Sequence, residues 1–251
     1  MRINTAKKRA LADETAIGIM CNLASPIGAE TLGLCGYDFV VIDLQHGENG
    51  LGTVQVLMQA LSASATIPIV RVPANDAIHI QRVLDLGAYG VIVPFINNRR
   101  EAKAIVDNIA YPPHGSRSFG PIRGTIYGGS DYFAKAGEEL LALPMLESAE
   151  GLANARDILE VEGIHGCFVG PADLNISLGH SPDGPLAAET EAGIASIARH
   201  ARELGKIAGI HAFSIDDAKR RAEQGFRFIT VMADTRLIRM GAQQTFAALR
   251  A

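Results

Sequence analysis

Short apolar runs recur along the chain at 16–21, 39–43, 67–72, 90–95, 141–147, 166–170, 207–211 and 226–232. Each is nearly continuous in hydrophobicity rather than alternating, the pattern of a parallel strand covered on both faces. Between them lie stretches whose apolar positions follow helical spacing, at roughly 27–36, 51–64, 76–87, 98–110, 150–162, 186–205, 215–224 and from about 235 onward. Boundary residues agree. Asn75 is placed to cap the helix holding Ile78, Ile80 and Leu84, and Gly87 to end it. Ser214 precedes IDDAKRRAEQG, which has acids first, bases later and Gly225 at its end.

Eight alternating units predict a (β/α)8 TIM barrel, with one domain over 1–251. The competing architecture is an open doubly wound sheet. It would usually carry a glycine-rich phosphate loop after an early strand, and no GxGxxG is present. Residues 111–140, rich in Gly, Pro, Tyr and Arg, break the rhythm. They are expected to form a long irregular segment that turns back across the barrel toward the active-site rim or a neighbouring subunit.

With 251 residues, 48% of them hydrophobic and 20% charged, the chain can bury a sizeable core. A net charge of -4 gives no basic footprint, which argues against nucleic acid as a partner. No apolar run reaches membrane-spanning length. The opening residues, with a short basic patch at Lys7, Lys8 and Arg9, lack the order of a signal peptide. Cys21, Cys35 and Cys167 are odd in number and lack metal-ligand spacing, and they read as small buried residues of a reducing compartment. The expected location is the cytoplasm.

The chemistry gathers where strands end. Glu147 closes one apolar run in PMLESAEG, and Asp173 follows another in GCFVGPADL. Asp43 and His46 follow a third in VVIDLQHGENG, and Arg71 ends a fourth in IPIVRVPAND. In a (β/α)8 barrel such positions face the catalytic mouth. Two carboxylates leave most of a six-oxygen shell to water and substrate, which suits magnesium or manganese, with cobalt as a further fit. An α-keto acid can fill the open positions through its carboxylate and keto oxygens. Arg71 can stabilise charge at the keto oxygen, and His46, of the residue type that titrates near neutrality, can move a proton. Asp43 is placed to fix the tautomer and orientation of His46. The amides of Gly170, Pro171, Ala172 and Asp173 can hold the substrate carboxylate, although Pro171 has no N–H.

Each residue also has a plainer reading. Glu147 can be a surface acid, Asp173 a helix N-cap and Arg71 half of a structural ion pair. His46 can be a solvated loop residue like His114 and His180. His211 and Phe213 are placed only at the rim. The lysines, at 7, 8, 103, 135, 206 and 219, miss the strand tips, so an imine mechanism is disfavoured.

The segments DFVVIDLQHG, RVPANDAIHIQRVLDLGAYGVIVPFINN, YPPHGSRSFGP, MLESAEGLANARDILEVEGIHGCFVGPADL and GKIAGIHAFS, in this order, resemble the HpcH/HpaI family of metal-dependent pyruvate aldolases. The resemblance implies a (β/α)8 barrel of the phosphoenolpyruvate/pyruvate type and a divalent metal. It also implies class II aldol cleavage of 4-hydroxy-2-oxo acids to pyruvate, or hydroxypyruvate, and an aldehyde. Carried over, the metal ligands fall on Glu147 and Asp173, the acid/base dyad on His46 with Asp43, and the carbonyl-polarising arginine on Arg71. The resemblance further implies a homo-oligomer, a hexamer in many members. Some members have Glu where this chain has Gln45, and Gln where it has Met145, which leaves donor preference open. The rival readings are a citrate-lyase or citramalyl-CoA type carbon–carbon lyase and a keto-acid-binding barrel without catalysis.

Overall fold

The computed structural model describes residues 1–250. In its first half the chain runs α1 (Thr5–Leu11), β1 (Ala16–Cys21), α2 (Pro26–Leu34), β2 (Phe39–Asp43), α3 (Leu51–Leu61), β3 (Ile67–Arg71), α4 (Ala77–Asp85), β4 (Gly90–Val93) and α5 (Arg99–Ile109). It continues through α6 (Ile122–Gly128), α7 (Tyr132–Glu139), β5 (Leu141–Leu146), α8 (Ala149–Ala153), α9 (Ala155–Leu159), β6 (Gly166–Val169) and α10 (Pro171–Ser177). It ends with α11 (Ala188–Glu203), β7 (Ile207–Ala212), α12 (Ile215–Glu223), β8 (Phe228–Ala233) and α13 (Asp234–Arg250). The eight parallel strands pair in sequence order and β8 closes on β1, giving a (β/α)8 barrel.

Alternate residues of each strand serve two cores. Phe39 and Val41 of β2 point into the barrel with Ile67, Ile69, Leu143, Met145, Phe168 and Phe228. Val40 and Ile42 point outward against helix residues such as Leu57 and Met58. Both faces are therefore apolar, which is why the runs read as continuous. Inside the barrel the Phe39 and Phe228 rings stack with centroids 3.7 Å apart. Gly18 permits this, since a Cβ there would collide with the Phe39 ring.

The N-terminal end of the barrel is sealed by α1, which places Ala6 and Ala10 against the interior core. Asn4 accepts from the Lys7 amide and donates to the carbonyls of Tyr89 and Glu139, at 3.3 and 2.9 Å. The buried Lys7 Nζ donates to the carbonyls of Glu138 and Leu140 at 2.8 and 3.0 Å. Burial lowers its pKa to about 8. The sequence pattern did not reveal α1.

Segment 111–140 departs from expectation. It holds two helices, α6 and α7, and lies at the opposite end of the barrel from the strand tips. Arginines pin it there. Arg123 donates to the carbonyls of Leu86 and Met58 at 2.7 Å and to Ser62 Oγ at 2.6 Å. These acceptors lie at the C-terminal ends of α4 and α3, where the helix dipoles favour a cation. Arg117 is buried between Asp85 and the Tyr132 hydroxyl, at 2.8 and 3.1 Å, and lies over the Tyr111 ring.

Smaller differences have local causes. The span 150–162 is two helices, broken at Asn154, whose side chain donates to the Asn97 carbonyl. Asp76, not Asn75, caps α4 by accepting from the His79 amide at 2.9 Å, while Asn75 donates to the Glu101 carbonyl. Gly87, at φ +102, ends that helix, and Ser214 caps α12 as expected. Cys35 is exposed, whereas Cys21 and Cys167 are buried. In α13 only Asp234 is buried, and Leu237, Ile238, Met240, Phe246 and Leu249 face outward. Among the described residues no helix is long and apolar enough to cross a membrane.

Candidate active site

Asp43 and Arg71 are the last residues of β2 and β3 and stand opposite each other in register. Arg71 Nε donates to Asp43 Oδ1 at 2.8 Å and its Nη2 donates to Oδ2 at 2.6 Å. Asp43 is fully buried, and Oδ1 also accepts the amides of Gln45 and His46 at 3.0 and 3.3 Å. The expected link from Asp43 to the His46 ring is not made. A two-pronged guanidinium and two amides use the carboxylate oxygens, so Asp43 holds Arg71 and the backbone of His46 instead. The imidazole of His46 stands exposed at the mouth.

The loop carrying His46 is fixed from below. Asn49 Nδ2 donates to the carbonyls of Cys21, Asn22 and Asp43 at 3.0, 3.3 and 3.3 Å. Gly47 passes so close that a Cβ would strike the Asp43 carbonyl. Asp234 joins β8 back to β1 by accepting the amides of Asn22 and Leu23 at 3.0 Å each from Oδ2.

Glu147 follows β5 and is 1% exposed. Its Oε1 accepts the Phe95 amide at 2.9 Å, and its Oε2 is buried with no partner. Phe95 sits at φ +52, a conformation costly for a non-glycine residue. Burial raises the Glu147 pKa to about 7; the charge of Asp173 adds to this, while the Phe95 amide and Arg71 oppose it.

Asp173 is not an N-cap, because Gly170 takes that position and Asp173 falls in the first turn of α10. Leu174 N–H closes the first helical bond to the Gly170 carbonyl at 3.0 Å. The amides of Ala172 and Asp173 precede it and have no intrahelical acceptor. Pro171, at the first helical position, loses nothing by lacking N–H.

One cavity of about 160 Å³ is lined by Asp43, His46, Arg71, Gly170, Pro171, Ala172 and Asp173. Met20, Asn22, Met145, Phe168, His211, Phe213 and Ala233 complete its wall. A larger cleft of about 800 Å³ runs along α5 and α7 on the outer wall and touches none of these strand-end groups. Of the polar set expected from the sequence, Asp43, His46, Arg71 and Asp173 line this cavity together and Glu147 does not, while His211, expected only at the rim, is part of the wall. Sequence reasoning missed Asn49 and Phe95, whose contributions are a side-chain brace and a backbone amide without a compositional signature.

The donor set suits a hard divalent cation. An orphaned carboxylate oxygen on Glu147, coupled electrostatically to Asp173, is what a cation between the two would satisfy. Among the described residues no group of three or more His, Cys, Asp and Glu is placed to hold a metal, so this is not a closed structural zinc centre.

The chain is 40% identical over 233 residues to a hydroxypyruvate/pyruvate aldolase of Rhizorhabdus wittichii, covering 91% of this chain and 92% of the relative. It is 36% identical to a 5-keto-4-deoxy-D-glucarate aldolase of Klebsiella pneumoniae, covering 98% and 97%. A crystal structure of an HpcH/HpaI aldolase/citrate lyase family protein from Burkholderia cenocepacia superposes with a TM-score of 0.92 at 31% identity, over 99% of this chain and 100% of the other. The family model for HpcH/HpaI aldolase/citrate lyase matches residues 16–240, and the chain belongs to that family.

Proposed function

We propose that this aldolase cleaves 4-hydroxy-2-oxo acids reversibly to pyruvate or hydroxypyruvate and an aldehyde. The observation that carries the reading is the buried, unpartnered Glu147 Oε2, which feels the charges of Asp173 and Arg71, two residues lining a cavity that His46 also lines. Aldolases of this family depend on a divalent metal in general. We assign its protein ligands to Glu147 and Asp173, with magnesium, manganese or cobalt as candidates. Bound there, the cation polarises the keto acid's carbonyl.

The chain's own groups supply the rest. Ala172 and Asp173 amides bind the substrate carboxylate at the start of α10. Arg71, held by Asp43, places its remaining N–H groups against the keto oxygen as negative charge grows there. His46 takes the proton from the 4-hydroxyl. The bond between carbons 3 and 4 then breaks, and its electron pair becomes the enolate while the aldehyde departs. Protonation of carbon 3 gives the product keto acid. Asp43 acts by fixing Arg71 and the loop of His46.

The partners are thus small molecules, and we place the protein in the cytoplasm as a homo-oligomer. The exposed apolar residues of α13 support association, and hexameric order follows the resemblance. The test is pyruvate release from a racemic 4-hydroxy-2-oxo acid, coupled to lactate dehydrogenase. Release that a chelator stops and one of these metals restores supports the reading. Chelator-resistant release refutes it.

A further inference from the structure

His211 enters the cavity from β7, four strands around the closed barrel from Arg71 on β3 and so across the mouth from it. Its Nδ1 lies 2.9 Å from Oγ1 of Thr230, its register partner on β8. Thr230 is fully buried, and its hydroxyl has no other hydrogen-bond partner among the described residues. A buried hydroxyl hydrogen needs an acceptor, and the only one offered is His211 Nδ1. The Nδ1 lone pair is therefore committed, and the proton of the neutral ring sits on Nε2. Burial keeps the ring neutral, aided by Arg71 and Arg236 and opposed by Asp217 and Asp43, lowering its pKa to about 4. No protein group accepts from Nε2 among the described residues. Phe213 packs edge-on to the ring at 6.2 Å and marks the outer rim, being 38% exposed.

With the keto oxygen at Arg71, as in the reading above, the β7 wall lies across the mouth and within the same cavity for the substrate's other half to meet. The neighbours of His211 in the lining, Phe168 on β6, Ala233 on β8 and Phe213, are apolar, and Asn22, after β1, is a further polar group of the cavity. An uncharged N–H in such a wall recognises an oxygen acceptor and disfavours an alkyl group that leaves it unpaired. We propose that His211 Nε2–H donates to a hydroxyl oxygen on the aldehyde half of the substrate, so that the site selects hydroxylated over plain alkyl aldehydes. This rests on the aldolase reading above.

The test is the ratio of kcat/KM for glycolaldehyde over acetaldehyde, with pyruvate as donor, in wild type, His211→Leu, His211→Gln and Thr230→Val. The wild type should favour glycolaldehyde. His211→Leu should lower the ratio roughly ten- to a hundredfold. His211→Gln, which keeps a donor, should restore part of it. Thr230→Val, which frees the tautomer, should lower it less than Leu does. Nitrogen-15 spectra of His211 in the wild type should report the Nε2–H tautomer, whatever the folding of the variants. An unchanged ratio in His211→Leu, or an Nδ1–H tautomer, overturns the proposal. Metal-dependent exchange of the pyruvate methyl hydrogens with D2O separates the two readings. Exchange with an unchanged ratio overturns the His211 role alone, whereas no exchange in the wild type overturns both.

Discussion

Replacing Glu147 by glutamine should make the chelated protein more stable near pH 8. The carboxyl is 1% exposed, its Oε2 is unpartnered, and its pKa is raised from 4.5 to about 7. Between those values the folded chain keeps a proton that the unfolded chain has released. Stability therefore falls as pH rises through this window and stays reduced above it. The span from 4.5 to about 7 corresponds to roughly 3 kcal/mol of cost for the ionised form. Glutamine retains an oxygen for the Phe95 amide but leaves its NH2 without an acceptor, at a cost of about 1 kcal/mol. The net gain is about 2 kcal/mol, or roughly 4–8 °C in Tm for a chain of this size. Thermal melts of wild type and Glu147→Gln after chelation, at about pH 5 and about pH 8, isolate the Glu147 carboxyl because other titrations cancel in the difference. Adding manganese should then stabilise the wild type and leave the variant unmoved. A variant less stable than wild type near pH 8, or an advantage equal at both pH values, refutes the reasoning.

Arg71→Ala should cost about 3–5 kcal/mol by leaving Asp43 buried and uncompensated, beyond its loss of turnover; paired denaturant titrations and rate measurements would register both. Asn49→Ala should lower kcat more than it lowers Tm, because it loosens the loop of His46 while leaving the barrel core intact; a stability loss with full activity contradicts that brace. Borohydride with pyruvate should not inactivate the enzyme, since Lys7 and Lys206 are engaged at the sealed end by carbonyls of Glu138, Leu140 and Ile164; mass spectrometry detecting a reduced lysine adduct would count against the metal-enolate route. Removing α13 after Thr235 should yield a smaller assembly by sedimentation, and an unchanged mass per particle would remove the apolar face of α13 from the interface.

The barrel was legible because its signal is collective. Eight apolar runs gave eight strands, and β1 and β2 fall where the periodicity put them. The polar set was legible because a charged residue ending an apolar run is conspicuous, as at Asp43, Arg71 and Glu147. Pairing was harder to read. Asp43 lies three residues from His46 in sequence, yet strand register sets it against Arg71, which no local spacing encodes. Segment 111–140 misled because its Gly, Pro and Tyr content resembles a functional loop. Its anchors, Arg117 and Arg123, answer to carbonyls and acids on α3 and α4 that only the fold brings near. His211 was underrated because its partner, Thr230, is on a different strand.

Among the described residues, the seal that α1 makes at the far end of the barrel leaves the strand-tip mouth as this enzyme's door. Asn4 and Lys7 fasten that end to carbonyls of Tyr89, Glu138, Glu139 and Leu140, while the cavity opens past His46 and Phe213. Traffic is then last in, first out. With the keto acid seated at Glu147 and Arg71 as proposed, it must arrive before the aldehyde and leave after it. Chemistry run toward carbon–carbon bond formation should follow an ordered sequence, in which excess aldehyde stalls the cycle by standing in the doorway of an empty room.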